Sequence, residues 1–245
     1  QNDTVRYNIS QDDGAANNMG GICWYSAGSN GGIRNVHVYN NTVYNSVSCA
    51  VRFFNTGGQT GNSIRNNIFV TSSRALVSGS PSTSVCLFQG NCYWPGGGTL
   101  DVAGYSSLAS WRDATGQEEI GTEPCGMMAD PQLADAGNGT ALTDPAQLNT
   151  LAAYHLQQGS PCIDSGLGLQ TLFGLAPGPR DFYGNAVPLG NAMDIGAYET
   201  EGATERAGHA PHPVPLLGQR VRGRRKHGRV RADEQDIHRV LHCGH

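Results

Sequence analysis

Four side chains offer acid–base or carboxylate-binding chemistry: Asp12, Asp13, His37 and Arg52. Asp12 and Asp13 are adjacent acids, and hydrolysis of glycosidic bonds uses two carboxylates held at a defined separation. The same pair suits a calcium ion, while a solvated acidic turn that ends in Gly14 is the simpler alternative. His37 is a candidate general base because histidine titrates near neutral pH. The guanidinium of Arg52 matches a substrate carboxylate, with an ordinary surface arginine as the simpler alternative.

Aromatic side chains accompany these residues in two segments, GICWYSAG from Gly21 and CAVRFFNTG from Cys49. Aromatic rings stack on sugar rings, but alternation along a strand turns half of them into the core. We predict that Trp24, Tyr25 and Arg34 contact a sugar substrate.

The sequence lacks the motifs that identify several other enzyme classes. It contains no GxSxG, HExxH or P-loop motif. The first lysine is Lys226, so no lysine is available as a base in the preceding part of the chain. The candidate chemistry therefore depends on carboxylates, arginine and histidine.

Four similar short segments recur along the same part of the chain: VRYNISQ, VHVYNNTVYN, IRNNIFVT and LFQGNCYWP. Aligned, the segments place asparagine in one column, at steps of 33, 26 and 24 residues: Asn8, Asn41, Asn67 and Asn91. A period between about 20 and 50 residues marks a solenoid or array, and β-branched alternation predicts strands. We therefore predict an all-β solenoid in which these asparagines are buried and their side-chain amides stack along the axis.

The alternation also predicts which residues face the interior. Val38, Ile64 and Phe88 are expected to share one interior column, whereas His37 and Arg65 are expected to face outward. On this register, Ile64→Asp should abolish folding and Arg65→Ala should be nearly silent.

The cysteines suggest a second column. Cys23, Cys49 and Ala75 are spaced by 26 and 26 residues. Neighbouring strands lie about 4.8 Å apart, so Cys23 and Cys49 can form a disulfide or stack as two thiols in the core. Cys125 and Cys162 lie in the less regular part, which they can staple. The pairing of the seven cysteines does not follow from the sequence.

The repeats and the charge divide the chain into three parts. We predict solenoid repeats over 1–95, a capping segment over 96–200 and a basic, disordered tail over 201–245. Up to position 200, seven arginines face 15 acidic residues, a net charge of −8; from 201 onward, nine basic and five acidic residues give +4. Within the capping segment, SSLASWRDATG from Ser106 predicts a short helix that ends at Gly116.

The capping segment also carries a motif. HLQQGSPCIDSG begins at His155, and RDFYGNAVPLGNAMDIGAYE runs from Arg180. Together they resemble the closing segment of bacterial right-handed parallel β-helix proteins of the pectate-lyase-like superfamily, a segment known as a choice-of-anchor domain. Cys162 and Ser165 replace the alanines that are usual there. The acids of the motif, Asp164, Asp181 and Asp194, either bond to backbone N–H groups in turns, which we favour, or hold a calcium ion.

This resemblance implies a right-handed parallel β-helix closed by a short helix and an irregular C-terminal cap. It also implies a secreted or cell-surface protein whose partner is a polysaccharide. The parent protein is then a polysaccharide lyase or a glycoside hydrolase, and a non-catalytic glycan-binding or structural module is the alternative. Calcium is the one cofactor with a place in this scheme. We expect a monomer with no nucleic-acid partner and no transmembrane segment, and we expect the chain, which starts without Met, to be the later part of a longer protein.

Overall fold

The computed structural model describes residues 2–26, 31–72 and 74–202, and this part of the chain is mostly β with parallel sheets. Apart from residues 201 and 202, the predicted basic tail lies outside the described residues. Within the described part, no helix is both long enough and apolar enough to cross a membrane.

Three parallel sheets contain most of the strands. The first sheet consists, in order, of β1 (Thr4–Arg6), β4 (His37–Tyr39), β7 (Asn62–Arg65) and β10 (Cys86–Gln89). The second sheet consists of β2 (Ile9–Gln11), β5 (Thr42–Asn45), β8 (Ile68–Thr71), β11 (Cys92–Trp94) and β14 (Met127–Met128). The third sheet consists of β3 (Ile22–Tyr25), β6 (Val51–Phe54) and β9 (Val77–Ser78).

The chain enters the three sheets in rotation, so that β1, β2 and β3 belong to the first, second and third sheets, and β4, β5 and β6 follow the same order. Each strand pairs in parallel with the equivalent strand of the next repeat, for example β4 with β7. The predicted all-β class is therefore confirmed in its mostly β, parallel character.

The interior column predicted for the first sheet is present. Val38 pairs with Ile64, and Ile64 pairs with Phe88. All three side chains are buried in the main apolar cluster, where Phe88 also meets the edge of Trp111 with ring centroids 5.3 Å apart. The predicted register of this sheet is correct.

The corners between the first and second sheets use two neighbouring residues for two tasks. The first residue adopts left-handed backbone, with φ of 52° at Asn40, 50° at Asn66 and 70° at Gly90. Asparagine and glycine are the residues that tolerate this conformation best. The second residue is the asparagine of the predicted column, so the paired asparagines in the sequence correspond to one bend and one stacking position.

The asparagine column forms a continuous chain of amide hydrogen bonds. Each Nδ2 donates to the Oδ1 of the next residue: Asn8 to Asn41 at 2.9 Å, Asn41 to Asn67 at 2.9 Å and Asn67 to Asn91 at 3.0 Å. Each of these Oδ1 atoms also accepts the backbone N–H of the preceding asparagine in the column. Asn41, Asn67 and Asn91 are buried, whereas Asn8, at the end of the column, is exposed, contrary to the prediction for that residue.

The column ends on a buried carboxyl group. Nδ2 of Asn91 donates to Oε1 of Glu118 at 2.7 Å, the hydroxyl of Tyr93 donates to the same oxygen at 2.7 Å, and the N–H of Gly90 donates to Oε2 at 2.6 Å. Glu118 is completely buried, and burial raises its pKa to about 7 despite these hydrogen bonds. We refer to the four asparagines and Glu118 as the amide column.

The predicted helix is present as α1 (Leu108–Thr115) and leads to Glu118. The hydroxyl oxygen of Ser107 accepts the N–H of Ser110 at the N-terminus, and Gly116, with φ of 70°, ends the helix. Leu108 and Trp111 are buried in the main cluster. The described residues also include a second short helix, α2 (Leu169–Phe173), and an antiparallel pair, β12 (Glu119–Ile120) and β13 (Glu123–Pro124). Short 3₁₀ helices span Ala15–Asn17, Pro145–Thr150 and Ala152–Tyr154.

Arg65 faces outward from the first sheet as predicted, but its side chain is not exposed to solvent. Arg65 lies on the outer side of the first sheet but is only 8% exposed, because the C-terminal segment covers that side. Its guanidinium lies 3.9 Å from the ring centre of Phe173 and donates from Nε to Oε1 of Gln89 at 2.8 Å and from Nη1 to Oγ of Ser63.

The predicted cysteine column is also wrong. Cys23 pairs with Arg52, so the third sheet has a step of 29 residues, not 26, at this point. Cys23 is exposed and Cys49 is buried, and both are free thiols. Neither the disulfide nor the pair of stacked core thiols is present, because the two residues belong to different positions of the repeat.

Replacing the covered arginine tests this placement. Arg65→Ala is expected to lower the free energy of unfolding by about 1–3 kcal/mol, because it removes the contact with Phe173 and leaves Ser63 and Gln89 without their charged donor. Urea denaturation measures the change. The control is Arg34→Ala, which removes an exposed arginine and should stay within about 0.5 kcal/mol of wild type. Equal stabilities for the two variants would contradict the buried role of Arg65.

Candidate functional site

The two predicted acids lie at the corner after β2. Asp12 has left-handed backbone, with φ of 54°, and its Oδ1 accepts the N–H of Ser46 at 2.6 Å and the hydroxyl of Ser46 at 2.9 Å. Asp13 is exposed, and its Oδ2 accepts the hydroxyl of Ser10 at 2.7 Å. The carboxylate of Asp12 therefore accepts hydrogen bonds that hold the corner, and Asp13 is the more accessible of the two acids.

His37 lies on a different sheet from these acids. It is half-buried on β4, and Nδ1 lies 2.8 Å from Oγ of Ser63. Burial, with a smaller contribution from the charge of Arg65, lowers its pKa, so the imidazole is neutral at neutral pH. The first sheet thus holds His37, while Asp12 and Asp13 follow a strand of the second sheet.

The prediction that Trp24 binds substrate is wrong. Its side chain is 3% exposed and stacks on Phe53 inside the main cluster, with ring centroids 5.7 Å apart and the planes at 3°. Strand alternation explains the error, since Trp24 and Tyr25 are consecutive and cannot both face outward.

The outward side of the third sheet carries the accessible aromatic groups. Tyr25 and Phe54 are paired neighbours on β3 and β6, and their side chains are 49% and 51% exposed. The two rings stack on each other with centroids 5.4 Å apart and planes at 28°. Arg52 lies two residues before Phe54 and therefore points to the same side. We refer to Tyr25, Arg52 and Phe54 as the aromatic face.

Arg52 joins the aromatic face to the corner that holds the acids. Its side chain is half-buried, and Nη2 donates to Oδ1 of Asn18 at 3.3 Å. Asn18 belongs to the connection that runs from Asp13 to β3, and the same oxygen accepts the hydroxyl of Ser48 at 2.7 Å. The structure thus brings Arg52 next to the segment that begins at Asp12 and Asp13, and leaves His37 apart.

The other predicted contact, Arg34, is exposed. It forms an isolated parallel bridge with Thr60, and its Nε donates to the carbonyl of Gly31 at 3.0 Å. This bond holds the guanidinium over its own turn. In the described part of the chain, the predicted site residues therefore do not come together in one site.

A cleft of about 440 Å³ lies beside the second sheet and includes Asp13 in its lining. Gln11 bridges this cleft: its Oε1 accepts the N–H of Gly139 at 2.8 Å and the hydroxyl of Tyr154. Burial raises the pKa of Tyr154 to about 12, so its phenol stays protonated at neutral pH. Asp13 is the single carboxylate among the described residues that line this cleft.

The acids of the C-terminal motif hold turns together. Each carboxylate accepts hydrogen bonds from N–H groups at 2.8–2.9 Å. Asp164 accepts from Asn191 and Ala192, and Asp194 accepts from Asp164 and Thr200. Asp181 accepts from Tyr183, Asn185 and Glu199. Among the described residues, no group of three or more His, Cys, Asp or Glu side chains is arranged to hold a metal ion. This geometry favours turn chemistry over calcium for these three residues.

Two buried acids, Glu118 and Glu199, are not among the predicted site residues. Burial raises the pKa of Glu199 to about 8, with a further increase from the charge of Asp194. Burial also raises the pKa of Asp194 to about 7, and the charges of Asp164 and Asp181 add to this increase. Oε1 of Glu199 is buried without a hydrogen-bond partner among the described residues. Glu118 belongs to no motif, and Glu199, the last residue of the DIGAYE motif, carries no local signal that its side chain is buried.

Comparison with known proteins gives no family. No protein-family model matches the chain, and no curated protein matches it with significant similarity.

The raised pKa of Glu199 predicts a pH-dependent stability. Because the folded state holds this proton more tightly than the unfolded chain, Glu199 stabilises the fold fully below about pH 4.5, and this contribution is lost as the pH rises through about 8. The free energy of unfolding should fall on the order of 3 kcal/mol less between pH 5 and pH 9 in Glu199→Gln than in wild type. Glu201→Gln, an exposed neighbour, is the control and should follow wild type. An unchanged pH profile in Glu199→Gln would refute the assignment.

Proposed function

We propose that the chain is part of a right-handed parallel β-helix protein. Two observations support the β-helix: strands enter the three sheets in rotation, and equivalent residues of successive repeats pair in register. The amide column at the corner between the first and second sheets agrees with this architecture, because stacked repeats place equivalent side chains one above the other.

We propose further that this protein binds an acidic polysaccharide on the aromatic face. The observation that carries the proposal is the exposed, stacked pair of Tyr25 and Phe54 beside the guanidinium of Arg52. Flat aromatic surfaces stack on the apolar faces of pyranose rings. A guanidinium recognises the carboxylate of a uronic acid with two parallel hydrogen bonds.

The position of the aromatic face strengthens this interpretation. The C-terminal segment covers the outer sides of the other two sheets: the hydroxyl of Tyr39 in the first sheet donates to the carbonyl of Ala176, and Ile68 in the second sheet packs in a cluster with Ile195. The third sheet keeps two large aromatic side chains about half exposed. Tyr25 and Phe54 are also in direct contact with each other, and clustered exposed apolar groups are typical of binding surfaces.

Binding fits the described residues better than catalysis. Lyase or hydrolase chemistry needs acids or a base that converge on one bond, but Asp12 is bonded to Ser46, and His37 lies on another sheet. Hydrolysis or β-elimination by a longer parent protein is the second proposal. The cleft that contains Asp13 and Tyr154 is the observation in its favour. Secretion or display on a cell surface, and a monomeric state, complete the proposal.

Calorimetric titration with oligogalacturonate and with a neutral cello-oligosaccharide tests the proposal. We expect the wild-type protein to prefer the acidic chain. Tyr25→Ala/Phe54→Ala should weaken binding of both ligands about tenfold or more, since about 1.4 kcal/mol corresponds to a factor of ten. Arg52→Ala should remove the preference for the acidic chain, because it removes the group that faces the carboxylate.

Two exposed side chains outside the aromatic face serve as controls. Met128→Ala removes a side chain of similar exposure from the second sheet, and Arg74→Ala removes an exposed positive charge. Both variants should bind like wild type. Wild-type affinities for the double aromatic variant would refute the binding site, and the appearance of unsaturated or reducing ends during the titration would favour the enzyme.

A further inference from the structure

Two buried cysteines from distant parts of the chain meet beside the second sheet. Cys92 lies on β11, and Cys162 lies in the GSPCIDSG segment of the C-terminal motif. Both are completely buried members of one apolar cluster, which also contains Ile68 and Ile195. Their side chains pack in this cluster, and the two thiols interact with each other.

The surrounding backbone holds both residues in place. Sγ of Cys92 also approaches the carbonyl of Ala129 at 3.4 Å. On the other side, the N–H of Cys162 donates to Oγ of Ser160 at 3.2 Å, and its carbonyl accepts the N–H of Ile195 at 2.9 Å. The strand and the C-terminal segment therefore hold both thiols within one buried cluster.

We propose that Cys92 and Cys162 form a disulfide bond that fastens the C-terminal segment to the second sheet when the chain folds in an oxidising compartment. The two thiols lose two protons and two electrons, and a small-molecule disulfide such as oxidised glutathione accepts the electrons and is reduced to two thiols. One cysteine first forms a mixed disulfide, and the second displaces the glutathione thiolate. Formation of this bond does not depend on whether the aromatic face binds a glycan.

The timing of the reaction follows from burial. Contact with Cys162 and burial both raise the pKa of the Cys92 thiol, so little thiolate is available in the folded chain. The disulfide bond should therefore form faster during folding than after the chain has folded. Since a disulfide restricts the unfolded chain, closing the long segment between these residues should raise the melting temperature.

The test is to refold the full chain in a glutathione redox buffer and to map its cysteines. Alkylation of the remaining thiols under denaturing conditions is followed by digestion with trypsin and Asp-N and by mass spectrometry without reduction. This digestion separates Cys125 from Cys162, and fragmentation distinguishes Cys86 from Cys92. We expect a cross-linked peptide pair that joins Cys92 to Cys162. We also expect the melting temperature to drop roughly 5–15 °C on reduction.

Variants make the assignment specific. In Cys162→Ala, the cross-linked peptide should disappear, and the melting temperature should no longer respond to reductant. Cys125→Ala, which removes another buried thiol, should retain both the cross-link and the response. Recovery of both Cys92 and Cys162 as alkylated thiols after oxidative refolding would overturn the proposal, as would a cross-link from either residue to a different cysteine.

Discussion

The described part of the chain depends on one constraint: a buried row of amides must have a hydrogen-bond acceptor at its end. Each asparagine of the amide column donates from Nδ2 to the side-chain oxygen of the next member and also to a backbone carbonyl, and buried polar groups that lack partners are costly. At Asn91 the row meets Glu118, which accepts bonds from Asn91, Tyr93 and Gly90. The surrounding groups named here are all donors, so a carboxyl group suits this position better than an amide would.

This constraint connects the repeats to the rest of the fold. Glu118 follows α1 in the chain. The helix that packs in the main cluster therefore also positions the carboxyl group at the end of the amide column. The C-terminal segment then binds the same corners from outside: Nδ2 of Asn66 donates to the carbonyl of Leu167, and Nδ2 of Asn40 donates to that of Asp194. Two sheets are covered in this way, and the remaining exposed aromatic side is where we place ligand binding.

Periodic features could be predicted from the sequence, and features that depend on distant contacts could not. The asparagine column, the interior position of Ile64 and the helix at Leu108 each follow from a local pattern that repeats or is capped. The burial of Arg65 does not, because the residues that cover it lie more than 100 positions later in the chain. The aromatic character of Trp24 does not indicate its position, because strand alternation decides which of two consecutive aromatic side chains faces the core.

The amide column depends most on Glu118, and replacing this residue tests most directly whether the column needs an acceptor at its end. In Glu118→Gln the side-chain NH₂ must face the donors of Gly90, Asn91 or Tyr93, so we predict that urea unfolding at pH 8 shows a loss of about 2–4 kcal/mol. Glu119→Gln changes the neighbouring, partly exposed acid and should stay within about 0.5 kcal/mol of wild type. Equal stabilities of Glu118→Gln and Glu119→Gln would contradict the claim that the amide column needs a carboxyl group at its end.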